Sequence, residues 1–352
     1  MRKFLYLLMA VAALVFAGCS NDDEEKSQSN EGKDSNLENK AGKEAEEKFD
    51  NMSPLTGIGT NEAADNRTIG VMVNNHSQAR PQSGLLEVDI VFEILAEARI
   101  TRLLALYQSE IPDVVGPVRS AREYYFTLAN NYDALYVYHG AADIVNDMIV
   151  NRGIDYLDGA VYDNDGTLFK RESFREAPHN SYALLGAAYK RAEDKGYETK
   201  ITQEALPFLD SEEAADIAGE NANHIEIVYS DNPMNIVEYE YEPEIEKYVR
   251  YSDREKTVDF DSGEEIQLDN VLVLETYHET IDSQGRRAVD LEAGGHAYLM
   301  QKGKIQEVEW ENRDGRIIAV NEGEVIGFVP GKTWVNVVPA SPGLEQMVTV
   351  TN

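Results

Sequence analysis

Cysteine is nearly absent: the 352 residues hold a single one, Cys19. One thiol forms no internal disulfide, so the fold has to rest on core packing. Cations are also scarce, 32 Lys and Arg against 64 Asp and Glu, for a formal charge of -32. A surface of that sign repels nucleic acid and anionic lipid at long range, and no nucleic-acid partner is expected. Screening over about 8 Å still allows a few clustered arginines to hold an anion at contact distance. Signatures of common nucleophilic enzymes are missing, with no G-x-S-x-G, S-x-x-K or H-E-x-x-H.

Metal and phosphate motifs are lacking as well. The six histidines, His76, His139, His179, His224, His278 and His296, show no close pairing of the kind metal sites use. Asp163-Asn164-Asp165-Gly166 with Glu172 resembles part of a calcium loop, but Val161 stands at the first ligand position, so a solvated turn is expected. Gly331-Lys332-Thr333 has Ile326 where a phosphate loop needs its first glycine, and an apolar strand follows it. No cofactor and no metal are expected.

What is present begins with a leader. Arg2 and Lys3 precede an apolar run from Phe4 to Phe16, and Ala17-Gly18 sets small residues before Cys19. This is the pattern of a secretion signal (1–18) whose cysteine is lipidated after cleavage. The run falls short of the roughly 20 residues that a bilayer span needs. The chain is therefore expected on the extracytoplasmic face of the cytoplasmic membrane, held by a palmitate-type anchor on Cys19; stable anchoring takes more than one acyl chain. Residues 19–52 are acidic and almost without apolar side chains, a composition that favours a disordered tether. Roughly 33 such residues have a root-mean-square reach of about 30 Å.

The remainder suits two domains, with 42% hydrophobic residues and 19 tyrosines for their cores. Residues 53–204 read as a mixed α/β domain. Thr68 to Asn74 is a short apolar strand, and Val88 to Glu97 with Thr101 to Gln108 forms a hairpin in which Glu97 faces Arg102. Ser120 and Glu123 have the spacing of a capping box for a helix over Tyr124 to Ala129. A second helix is predicted from Tyr182 to Lys195, ending at Gly196. Residues 205–223 suit a helix or linker. Residues 224–352 contain seven short runs rich in β-branched and aromatic residues, separated by turns such as Lys302-Gly303 and Asp314-Gly315, and predict a mostly antiparallel β domain. The fold class is thus α+β.

Chemistry concentrates in Gly116-Pro117-Val118-Arg119-Ser120-Ala121-Arg122-Glu123. Two arginines beside a helix start offer forked donors and free amides to phosphate, sulfate or carboxylate. The expected anion site comprises Arg102, Arg119, Ser120 and Arg122, with Asn75, His76 and Arg80 at its rim. Surface ion pairing of the same arginines is the plainer alternative. Asp89 and Glu93 act as acid and base if they converge in a dry cleft, or else lie on an exposed strand face.

Asp89-Ile90-Val91-Phe92-Glu93, Ile100-Thr101-Arg102, Gly116 to Arg122, His179-Asn180-Ser181-Tyr182 and Gly331-Lys332-Thr333-Trp334-Val335 together resemble the YerB-like lipoproteins of Bacillus and related Gram-positive bacteria. The resemblance spans about Pro54 to Pro339. It implies a membrane-anchored protein with N-terminal and C-terminal portions of one family, and it assigns no catalytic residue. A fainter analogy exists with enzymes that attach phosphate-linked glycopolymers to the cell wall. Three functions stay open at this point: a protein binding an anionic envelope polymer or a membrane-protein partner, an envelope transferase or hydrolase, and a scaffold for a membrane enzyme.

Overall fold

The apolar run at 69–74 is unbroken rather than alternating, which predicts a strand covered on both faces. In the computed structural model, which describes residues 49–230 and 235–352, every residue of that strand is buried. The leader, Cys19 and all of the tether up to residue 48 lie outside the described residues.

In chain order the main elements of the first half are β1 (Ile69–Asn74), β2 (Ile90–Leu95), β3 (Thr101–Tyr107), α1 (Glu123–Asn131), β4 (Leu135–Tyr138), α2 (Asp143–Asn151), β5 (Tyr156–Asp158), β6 (Phe169–Arg171), β7 (Ser181–Leu184) and α3 (Ala188–Asp194). Those of the second half are β8 (His224–Val228), β9 (Ile236–Glu242), β10 (Lys247–Ser252), β11 (Asn270–Thr276), β12 (Gly295–Gln301), β13 (Lys304–Arg313), β14 (Arg316–Asn321), β15 (Glu324–Ile326), β16 (Thr333–Pro339), α4 (Leu344–Met347) and β17 (Val348–Thr351).

Strands from both halves share one 12-stranded sheet, in the order β15-β14-β13-β12-β11-β16-β2-β3-β1-β4-β5, with the short strand Glu220–Asn221 paired to β13. The seam between the halves is parallel: Thr333 of β16 registers with Asn270 of β11 on one side and with Ile90 of β2 on the other. β1, β4 and β5 are also mutually parallel, while β2, β3 and β1 run antiparallel. A six-stranded antiparallel sheet built on β10, β9, β8 and β17 covers one face.

Side-chain alternation divides the core in two. Val71, Val73, Val271 and Val273 pack with Ile225, Ile227 and Tyr239 of the smaller sheet. Met72, Leu104, Leu272 and Leu274 point the other way, onto Tyr125 and Leu128 of α1 and Ile149 of α2. Each such side chain contributes about 1.5–3 kcal/mol on burial.

The structure is sheet-rich with few helices, and it departs from several local expectations. Tyr182 belongs to strand β7, which pairs with β6 and with Val114–Val115, so the expected helix starts only at Ala188. Gly196 does end it, at φ +79°. The capping box is not formed: Arg122, not Ser120, is the residue before α1, and no side chain caps it. The cause is that the chain at 117–119 is held extended by hydrogen bonds to β1 and β7, which delays the helix. Glu123 instead pairs with Arg152. In the hairpin, Arg102 registers with Ile94, and Glu97 reaches Arg102 from the turn beyond the strand. The exposed-face reading of Asp89 and Glu93 is overturned, since both are buried. Lys302-Gly303 and Asp314-Gly315 make two-residue turns with both residues at positive φ, as tight hairpins require.

Candidate functional site

Pro117 to Arg119 is a short extended segment wedged between three strands. Asn74 N donates to Pro117 O at 2.8 Å, Arg119 N to Met72 O at 2.8 Å, Val118 N to Ser181 O at 2.6 Å and His139 N to Arg119 O at 3.0 Å. It thereby gathers Asn74 to His76 after β1, His139 after β4, and His179 to Ser181 before β7. The cluster lies beyond the carboxyl ends of β1 and β4, where open α/β sheets present ligand sites.

Positive charge is in excess here. Arg102 donates to Glu97 Oε2 at 2.8 Å and to Ser120 O at 2.9 Å, and Arg122 pairs with the other oxygen of Glu97. One carboxylate therefore serves two guanidinium groups. Arg119 is half-buried, and its side chain makes no hydrogen bond or ion pair with any described residue. Burial, then the charges of Arg102 and Arg122, pull its guanidinium below the ordinary value, with Glu97 opposing. Burial and Arg122 do the same to Arg102. Against the effect of burial, the hydrogen bond from Arg122 and the charges of both arginines hold Glu97 below the usual carboxylate range. Adding an anion at Arg119 relieves this repulsion.

The histidines complete the cluster as neutral donors. Asn74 Oδ1 accepts from His76 N at 3.1 Å, which orients its amide so that Nδ2 donates to His179 Nδ1 at 2.9 Å. His76 Nδ1 accepts from Gln78 N at 3.1 Å. Both rings, 4.7 Å apart at their centroids, thus carry their proton on Nε2. Burial lowers the His76 pKa, helped by Arg80 and Arg119; burial lowers that of His179, helped by His76, Arg119 and Arg175.

His139 is wired differently. Its Nε2 faces Arg171 Nη2, a donor only, at 3.2 Å, so its Nδ1–H donates to Ser181 Oγ at 2.7 Å. A base would have to accept from that hydroxyl, so in this arrangement His139 does not activate Ser181 as a nucleophile.

The other expected residues have structural partners. Asn75 is buried and donates to Glu93 Oε1 at 3.0 Å and Thr101 Oγ1 at 2.8 Å. Arg80 binds Asn75 O and pairs with Asp253 at 2.5 Å. Glu93 is not brought to the arginines: it pairs with Arg250 at 2.8 Å in the core and accepts from Trp334 Nε1 at 2.9 Å. Asp89 accepts from the backbone N of Gln108 at 2.6 Å and of Ser109 at 2.9 Å. Burial pushes its carboxyl up to about 6 despite these bonds. Ser120 enters through its carbonyl. His179, His139 and Arg175 were not singled out for the site, although the His179-Asn180-Ser181-Tyr182 string marks that loop.

Residues 55–198 match the N-terminal domain, and residues 225–335 the C-terminal domain, of a family described as a protein of unknown function, DUF3048. A Bacillus subtilis (strain 168) protein bearing the name "Putative lipoprotein YerB" is 44% identical over 289 residues, which is 82% of this chain and 86% of that protein. The crystal structure of the Bacillus subtilis YerB protein superposes with a TM-score of 0.78 at 40% identity, covering 86% of this chain and 99% of that one. The YerB-like resemblance is thereby established, and the chain belongs to the DUF3048 family.

Proposed function

We propose that the protein binds an anionic ligand of the cell envelope at the Arg119 cluster while a lipid on Cys19 holds it at the outer face of the cytoplasmic membrane. The observation that carries the reading is charge accounting in a chain of net charge -32. A half-buried guanidinium without an ion pair among the described residues sits beside two more that share one carboxylate. An arginine kept from the many available carboxylates serves folding poorly and suits a bound anion. The Nε2–H groups of His76 and His179 add neutral donors. The leader pattern and the lipoprotein name of the relative support the anchor.

The test is retention of the protein on purified envelope fractions. The parent is expected to bind at least one fraction in a salt-sensitive way, and the Arg119→Ala, Arg122→Ala double variant to lose that binding while staying folded. Equal retention of both would overturn the reading. Cys19→Ser is expected to release the protein from membranes; continued sedimentation would contradict the anchor.

A further inference from the structure

The loop from β6 to β7 joins the arginine cluster to a second feature. His179 stands at one end, and Phe174 near the other is 52% exposed. Phe174 stacks on Phe260, itself 40% exposed, with centroids 4.9 Å apart and planes at 6°. Two large apolar rings side by side in solvent form a small aromatic patch next to the cluster. They form the wall of a cleft of about 320 Å³ whose other lining groups include the carboxylates of Asp113, Glu172 and Asp261, a size at the lower end for a small-ligand site.

Arg175 ties the two features together. Its guanidinium lies 5.8 Å from the Phe174 centroid and 5.5 Å from that of Phe260, while its charge also acts on His179. It donates to Gln78 O at 2.8 Å and to Pro81 O at 2.5 Å, so it braces the loop that carries His76. Tyr182 lines the cleft with a buried phenol that lies against the Arg175 guanidinium, whose charge acts on it. An aromatic wall offers its electron-rich face to the C–H groups of a sugar ring. Carboxylates and a phenol around it accept hydroxyl protons.

We infer that the ligand of the Arg119 cluster is a phosphorylated saccharide, its phosphate on Arg119, His76 and His179 and its sugar ring on the Phe174–Phe260 wall. This inference rests on the anion-binding reading given above. A phosphate monoester presents three oxygens to these donors and carries its sugar carbon on the fourth, a phosphodiester presents two, and Arg175 marks the path from the phosphate to the wall. The source is either a free sugar phosphate or a phosphate-bearing polysaccharide.

Calorimetric titration of the full chain with inorganic phosphate, glucose, glucose 1-phosphate and a sugar-phosphate polymer tests it. The expected result is that glucose 1-phosphate or the polymer binds at least fivefold more tightly than phosphate, the stronger of the two identifying the source. Phe260→Ala is expected to erase that advantage and leave phosphate affinity unchanged. Phe174→Ala, at a more exposed position, serves as the second variant should Phe260→Ala misfold. Equal affinity for phosphate and both sugar phosphates, or an advantage that survives both phenylalanine variants, would overturn the inference and leave the anion site standing. Failure of phosphate and of both sugar phosphates to bind the parent would overturn the anion site itself.

Discussion

Two groups of arginines in this molecule live by opposite rules. Arg250 is 1% exposed and meets Glu93, which is fully buried, at 2.8 Å. Its guanidinium also lies 4.4 Å from the Trp334 ring and donates to Thr257 Oγ1 at 2.7 Å, while Glu93 accepts from Thr101, Asn75 and Trp334. The charges are matched one to one, and the partners come from β2, β10 and β16, so this centre pins the two sequence halves together. Arg102 and Arg122 share a single carboxylate, Glu97, and Arg119 beside them pairs with no described residue. Stability favours the first arrangement and is at best indifferent to the second. The contrast assigns the buried pair to folding and supports the proposal that the unmatched cluster holds a ligand.

Breaking the matched centre has the largest expected effect. Glu93→Ala leaves Arg250 charged and buried, at a cost of about 3–5 kcal/mol, read as a lower urea midpoint. A loss below about 1 kcal/mol would place the clamp elsewhere. Glu97→Ala comes next, since it strips the lone counter-charge from two partly buried arginines. The expected loss is about 1–3 kcal/mol, partly recovered by sulfate; recovery absent in sulfate would speak against an anion at the cluster.

The pH response sharpens the comparison further. His76 and His179 have folded-state pKa values below the ordinary 6.5, so the unfolded chain binds more protons as pH falls below 6.5, and their contribution to stability declines there. Asp89, raised to about 6 from 3.8, works in the opposite sense and gains stability as pH falls from 6. The difference between the parent and a His76→Gln, His179→Gln variant isolates the histidines. Their loss is expected to flatten the decline below pH 6.5, and added sulfate to flatten it in the parent. An unchanged profile would remove the pair from the cluster.

Strands were legible in the sequence wherever β-branched and aromatic residues recur between turn residues, as at 224–229, 271–276 and 333–338. The acidic strand β13 was not read, because Glu307, Glu309 and Glu311 alternate on its open side. Local preference failed at Tyr182 to Leu184, where the start of a helix-favouring run is captured as strand β7 by pairing with β6, and Leu185–Ala187 form only a 3-10 turn before α3. It failed again at Ser120, where the tertiary hydrogen bonds of 117–119 outweigh a capping box. The parallel seam between β11, β16 and β2 unites residues far apart in sequence and leaves no local trace. Of the site, the Arg119 segment was legible as clustered cations in an acidic chain. His76 was placed at its rim, but His179 was not, because the two histidines are 103 positions apart and meet only when β1 and the β6–β7 loop close on Pro117 to Arg119.

The most direct test pairs one variant with two readouts. Arg119→Ala is expected to change the unfolding free energy by no more than about 0.5 kcal/mol and to weaken pyrophosphate binding by roughly 10- to 100-fold, the worth of one charged hydrogen-bonding group. Pyrophosphate affinity equal to the parent's, or a large loss of stability, would show that Arg119 belongs with Arg250 among the residues that hold the fold together.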